Sequence, residues 1–237
     1  MSEHEKYESW SDLCHASEML RWFPAVEESG VPHPRTEIIP VGDEIRDCLD
    51  DAPVPGMLIE AIIAAGDKFG WPIFLRTGQT SGKHDWKDTC FVAGPDDVIT
   101  HVYNLVEDCA LKDLDIESFV VREFLSLKAE FTAFFGEMPV AREFRLFIKA
   151  GELEHIQFYW PAESIEKPSC EDWLPRLQRM AVITDAEKKL IVDRAVDVCR
   201  LLGPESWSVD FAQGNNDEWY LIDMARGEVS FDTRRAG

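Results

Sequence analysis

Two aspartates in the C-terminal stretch Trp207–Ala225, WSVDFAQGNNDEWYLIDMA, are the residues best placed to do chemistry. Gly214-Asn215-Asn216-Asp217 is turn chemistry and both flanks are rich in β-formers, so the segment reads as a hairpin. With the turn centred between Asn216 and Asp217, Asp210 faces Asp223 across the strands. Trp207, Val209 and Phe211 then share one face with Tyr220, Ile222 and Met224, which is the expected core face. Ser208, Asp210 and Ala212 share the other with Leu221, Asp223 and Ala225. That second face is a floor carrying two carboxylates about 5 Å apart at Cβ. Like charges that close need neutralising, and a hard, oxygen-seeking cation such as Mg2+ does so. Two competing readings leave both aspartates solvated on an exposed face, or slip the register by one.

The cations that would complement such a floor are scattered along the chain. In PIFLRTGQTSGKHDW (Pro72–Trp86) a strand runs into a glycine-rich loop, with Arg76 at the strand end and Lys83 in the loop. Glycines let backbone N–H groups approach phosphate oxygens, and Arg and Lys supply the charge. The loop fails the Walker A count by one residue, and His84 replaces the expected Ser or Thr. A plain surface turn is the alternative. SFVVREFLSL (Ser118–Leu127) sets Arg122 and Glu123 inside an apolar strand, where charge is costly unless paired or facing a cleft. REFRLFI (Arg142–Ile148) repeats the pattern, with Phe144, Leu146 and Ile148 on one face and Glu143, Arg145 and Phe147 on the other. An edge strand or a simple salt bridge explains one such strand. Two of them, with Arg76, Lys83 and the aspartate pair, describe a polyphosphate–metal site.

In order and type these motifs resemble an ATP-grasp protein. They are similar to the cell-division-cycle translation-initiation assembly factors, and to phage and bacterial ATP-grasp proteins in which arginine replaces the nucleotide-binding lysine. SGKHDW resembles their loop, VVREF their hinge, EFRLFI their EFR strand and VDFA…LIDMA their metal hairpin. The resemblance implies two α+β subdomains gripping ATP. It divides the chain into an N-terminal region (1–70), an N-lobe (71–121) and a C-lobe (122–237). It implies that Arg76 and Lys83 hold ATP phosphates, that Glu123, Phe124 and Leu125 meet adenine, and that Arg122 lines the cleft. Arg145 would reach the phosphates as the catalytic cation, and Asp210 and Asp223 would bind Mg2+. The implied activity is ATP-dependent joining of an unknown acid and amine through an acylphosphate. The alternative is an ATP-binding assembly factor for a protein partner. One position departs from the pattern, since Ala225 stands where an Asn ligand is expected.

The elements that must position these residues are mixed. Ser9–Phe23 has helical spacing and Pro24 is expected to end it. Thr36–Val41 reads as a strand, Gly42–Pro55 as a loop or weak helix, Met57–Phe69 as a helix and Trp71–Thr77 as a strand. Pro95–Ala110 reads as a helix, Ser118–Leu125 as a strand, and Arg142–Lys149 with Glu152–Tyr159 as a second hairpin. Thr184–Leu202 is the longest helix, opened by Thr184 and Glu187 at capping-box spacing. Strands and helices do not alternate strictly, so the fold class is α+β. Phe131, Phe134 and Phe135 are read either as an adenine cap or as a buried aromatic cluster.

Composition narrows the classes. A formal charge of −21 over 237 residues argues against nucleic acid as a partner, because phosphate binding needs a basic stripe. Six cysteines with no CxxC pair read as reduced thiols. No apolar run approaches a membrane span, and the polar MSEHEKYESW start does not read as a signal peptide. The expectation is a cytoplasmic protein without nucleic-acid or membrane partners.

Overall fold

A computed structural model describes residues 9–235, apart from the side chains of residues 135 and 136. The opening residues on which the signal-peptide reading depends, and the Phe135 side chain, lie outside that description. The helices are α1 (Trp10–Ala16), α2 (Met19–Ser29), α3 (Gly56–Phe69), α4 (Val98–Leu111), α5 (Phe134–Glu137), α6 (Trp173–Met180) and α7 (Asp185–Leu202). The strands are β1 (Thr36–Pro40), β2 (Ile73–Thr77), β3 (Phe91–Val92), β4 (Ser118–Glu123), β5 (Ala129–Ala133), β6 (Met138–Ala141), β7 (Glu143–Lys149), β8 (Glu152–Phe158), β9 (Ser206–Gln213) and β10 (Trp219–Arg226). They form an antiparallel sheet ordered β1-β4-β2-β3, a second ordered β10-β9-β7-β8, and the β5–β6 ribbon. Helices packed on antiparallel sheets make the fold α+β, as expected.

Each main sheet has one apolar face. Ile73, Leu75, Phe119 and Val121 pack with α3 and α4 residues such as Ile62, Val102 and Leu105. Phe144, Leu146 and Ile148 of β7 pack with Val209 and Phe211 of β9, against α2 and α7. Alternation along a strand puts every second side chain on the opposite face. Arg76 pairs with Val120 and Phe74 with Arg122, so both arginines share the face opposite Leu75 and Val121. In the second sheet Glu143, Arg145, Ser208 and Asp210 lie opposite the core residues. The charged faces of the two sheets meet at the cleft.

Several elements depart from the sequence reading. The first helix breaks at Ser17-Glu18 rather than at Pro24, and α2 runs through Pro24 to Ser29. Pro24 forfeits a helical hydrogen bond, but its neighbours Trp22, Phe23, Ala25 and Val26 are buried and hold the helix together. The break comes where polar side chains are used elsewhere: the Ser17 hydroxyl accepts the Arg226 backbone N–H at 2.9 Å. Thr184 caps α7 through the expected capping box with Glu187. The β5–β6 ribbon and α6 were not anticipated; they frame a third apolar cluster that includes Phe131, Phe134, Trp160 and Leu177. Phe131 and Phe134 therefore belong to a buried cluster and do not line the cleft.

The C-terminal hairpin forms with Asp210 directly opposite Asp223, but its tip is shifted. A bulge between Leu221 and Asp223 makes Leu221 the partner of Phe211, and Trp219 and Leu221 enter the core in place of Tyr220 and Ile222. A bulge inserts one residue, which flips the facing of everything beyond it. Ile222 is released to the cleft, where its carbonyl accepts from Arg122 Nη1.

Candidate functional site

An open cleft of about 810 Å3, partly continuous with solvent, lies between the two sheets. Its lining includes Arg76, Lys83, Arg122, Glu123, Phe124, Leu125, Asp210 and Asp223. Eight of the nine residues singled out from sequence thus face one space. The ninth, Arg145, reaches it through Asp210. Register partners on β7 and β9, these two form a bidentate pair, with Nε to Oδ1 at 2.8 Å and Nη2 to Oδ2 at 2.7 Å. Arg76 Nη1 lies 2.8 Å from Asp223 Oδ1, across the cleft from one sheet to the other. The aspartate floor is therefore neutralised by two guanidinium groups.

Lys83 comes from the loop after β2 and lies in a cage built by the second sheet. Its ammonium is 3.6 Å from Glu143 Oε1, 3.9 Å from the Tyr159 ring centre and 4.7 Å from that of Trp160. Burial works to lower the Lys83 pKa, but the charges of Glu143, Tyr159 and Asp210 outweigh it and hold the group above its ordinary value. For Arg145 burial is likewise outweighed, here by Asp210, and its pKa is raised. Burial and the neighbouring charge of Arg76 push Arg122 down to about 9, still cationic at neutral pH. Arg122 Nη2 also points at Met19 Sδ, 3.5 Å away.

Glu143 is the functional candidate that sequence reasoning missed. It is buried in the cleft, and burial pushes its carboxyl up to about 7, with Asp210 and Asp223 adding to the shift against Lys83 and Arg145. Its Oε1 accepts no hydrogen bond among the described residues. The signal was its position in the EFR strand, on the same face as Arg145. An aromatic wall was missed as well: Phe74, Trp86 and Phe124 line the cleft, with the Trp86 ring 5.9 Å from Phe74 and 6.1 Å from Phe124. The Glu123 carboxylate turns to Arg35, 2.6 Å away.

No group of three or more His, Cys, Asp or Glu able to hold a metal occurs among the described residues. Mg2+ does not demand one, because it is commonly held by one or two carboxylates with substrate phosphates and water. The two facing carboxylates and the Glu143 oxygen without a hydrogen bond supply the hard oxygen chemistry that such an ion takes, so the donor set fits it. Of the two residues weighed as replacements for the absent Asn, Asp232 is held by Arg234 at 2.6 Å and Glu228 lies 3.5 Å from Arg226.

The strand order, the two facing sheets and the charged cleft between them define an ATP-grasp architecture. The chain belongs to a family described as an ATP-grasp domain, the third family of its clade, whose model matches residues 68–231. Solved structures agree on the fold. A RimK domain protein ATP-grasp from Sphaerobacter thermophilus has a TM-score of 0.52 at 14% identity, covering 94% of this chain and 63% of that one. Biotin carboxylase from Campylobacter jejuni gives 0.56 at 12% identity, covering 95% and 43%. D-alanine–D-alanine ligase from Bacillus anthracis, complexed with ATP, gives 0.50 at 12%, covering 91% and 54%. This chain thus spans less than two thirds of the length of each. No curated protein matches the sequence. Among the described residues no helix is long and apolar enough to cross a membrane.

Proposed function

We propose that the cleft binds ATP with Mg2+ and that the protein is a carboxylate–amine ligase. The observation that carries this reading is the convergence of Arg76, Lys83, Arg122 and Arg145 on the Asp210–Asp223 floor in a chain of formal charge −21. A positive pocket in a negative protein is built to collect an anion, and a polyphosphate answers to that many cations. Phosphate oxygens take over Arg76 and Arg145 as partners, which frees Asp223 and Asp210 to hold Mg2+. The bound Mg2+ neutralises charge on the phosphates during transfer. Phe74, Trp86 and Phe124 offer apolar surface for the base beside the strand Glu123–Leu125.

In the proposed reaction an acid's carboxylate oxygen attacks the γ-phosphorus and ADP leaves. An amine then attacks the acylphosphate carbon, and phosphate departs as the amide forms. No protein nucleophile is needed; the side chains position charge and stabilise it. The second reading, an ATP-binding assembly factor with little turnover, is favoured by Ala225 in place of the third metal ligand. Incubation with ATP, Mg2+ and panels of acids and amines separates the two. ADP released only when acid and amine are both present supports the ligase. Tight ATP binding without turnover supports the assembly factor, and no ATP binding overturns both.

A further inference from the structure

Glu18 is a buried carboxylate that the proposed reaction does not use. It lies outside the residues matched by the family model, in the break between α1 and α2. Its exposure is 0%, and although it occupies the N-cap position of α2 it makes no capping hydrogen bond. Instead Oε1 accepts from the Ser118 hydroxyl at 2.5 Å, while Oε2 accepts no hydrogen bond among the described residues. Burying a charged group without full compensation is expensive, so a residue kept this way calls for a reason.

The surroundings supply one. Ser118 lies on the same face of the first sheet as Val120, the register partner of Arg76. Gly78, two residues beyond Arg76, hydrogen-bonds Ser118 through its N–H and Met19 through its carbonyl. A Cβ at Gly78 would come 1.5 Å from Glu18 Oε1, so only glycine lets the carboxylate lie against this loop. Met19 meets Arg122, and Ser17 accepts the Arg226 N–H at the end of β10. Three consecutive residues of the N-terminal segment therefore touch the phosphate-side loop, the hinge strand and the metal hairpin. The charged groups acting on Glu18 are Arg76, Arg21 and Glu117. Burial raises its pKa most, while the Ser118 hydrogen bond and the two arginines oppose that shift.

We infer that Glu18 is a positioning residue for Arg76, and that Ser17–Met19 forms the rear wall of the cation pocket. Arg76 is then held between two carboxylates, Asp223 at the cleft floor and Glu18 behind. When phosphate displaces Asp223, Glu18 still fixes the guanidinium. This rests on the cleft being a phosphate site.

The test compares Glu18→Gln with Glu117→Gln in the full chain at pH 8, reading MgATP affinity by calorimetry and the Arg76 Nε–H signal by NMR. Removing a negative charge beside an anion site tightens binding through the field alone; loss of positioning weakens it. The expected result is affinity weakened about tenfold in Glu18→Gln and within about twofold of wild type in Glu117→Gln. The Arg76 signal of the nucleotide-free protein shifts and broadens only in the former. Unchanged or tighter binding, or an unmoved Arg76 signal, overturns the proposal. If wild type binds no ATP, the ligase reading fails, and the nucleotide-free Arg76 signal still decides the role of Glu18. Should Glu18→Gln not fold, Ser118→Ala, which removes the donor to Oε1, takes both readouts.

Discussion

The two arginine–aspartate pairs of the cleft resemble each other in sequence and differ in construction. Arg145 and Asp210 are register partners on adjacent strands of one sheet, joined by two hydrogen bonds, with side chains 14% and 4% exposed. Strand pairing alone brings them together. Arg76 and Asp223 come from different sheets, joined by one contact, and Asp223 is 35% exposed. Their pairing exists only when the sheets face each other. The first pair is part of the frame of the floor; the second reports the approach of the two sheets.

If so, the two arginines respond differently to removal. Arg145→Ala leaves Asp210 buried without a counter-charge and is expected to cost about 3–5 kcal/mol in urea unfolding. A loss below about 1 kcal/mol would erase the distinction between the pairs. The Arg142–Glu187 pair does not line the cleft and gives the scale for a bridge built for stability alone. The hydrogen bond from Arg142, aided by Thr184, holds Glu187 down at about 2. Because the folded pKa lies below the unfolded value of 4.5, its contribution is whole above that pH and lost as pH falls toward 2. Unfolding from pH 6 to 2 is expected to show this loss, on the order of 2–3 kcal/mol, and Glu187→Gln to flatten it.

Nucleotide sharpens the contrast further. ATP with Mg2+ is expected to stabilise the fold by about 2.7 kcal/mol at hundredfold saturation. EDTA is expected to remove most of that gain; equal thermal shifts with and without the chelator would sink the metal-bridge idea. Arg76→Ala is expected to cost only about 1–2 kcal/mol of stability, since Asp223 regains water, yet to weaken ATP by about 1.5–3 kcal/mol. Calorimetry beside urea unfolding separates the two numbers. The smallest effect belongs to Asp223→Asn, whose nucleotide-free stability is expected within about 0.5 kcal/mol of wild type. Its Mg2+-dependent ATP binding falls all the same. Unfolding of this variant would make Asp223 structural and end the comparison.

How far the chain could be read in advance varied with the range of the forces involved. The α7 capping box and the Asp210–Asp223 register were legible because each depends on residues a few positions apart or on one turn. The shifted tip of the same hairpin was not: whether Ile222 or Leu221 enters the core depends on what α2, α7 and β7 offer to fill, and a bulge satisfies that demand. The β5–β6 ribbon and α6 were missed because their sequences carry little periodicity and owe their form to the cluster around Trp160 and Phe134. Pro24 misled because its local penalty is overridden by the burial of its neighbours.

The sequence by itself determined the charged types and their spacing, the alternation that puts Arg76 and Arg122 on one strand face, and Glu143 and Arg145 on another. Those are consequences of strand periodicity, which is local. Only the tertiary structure decided which charge meets which. Arg145 is claimed by Asp210, Arg76 by Asp223, and Lys83 by Glu143 and two aromatic rings. Glu18, remote in sequence, is buried behind Arg76. Such pairings join residues separated by long stretches of chain, and their strength comes from burial, which excludes the water that would screen them. Burial is a property of the packed whole, and no window of sequence contains it.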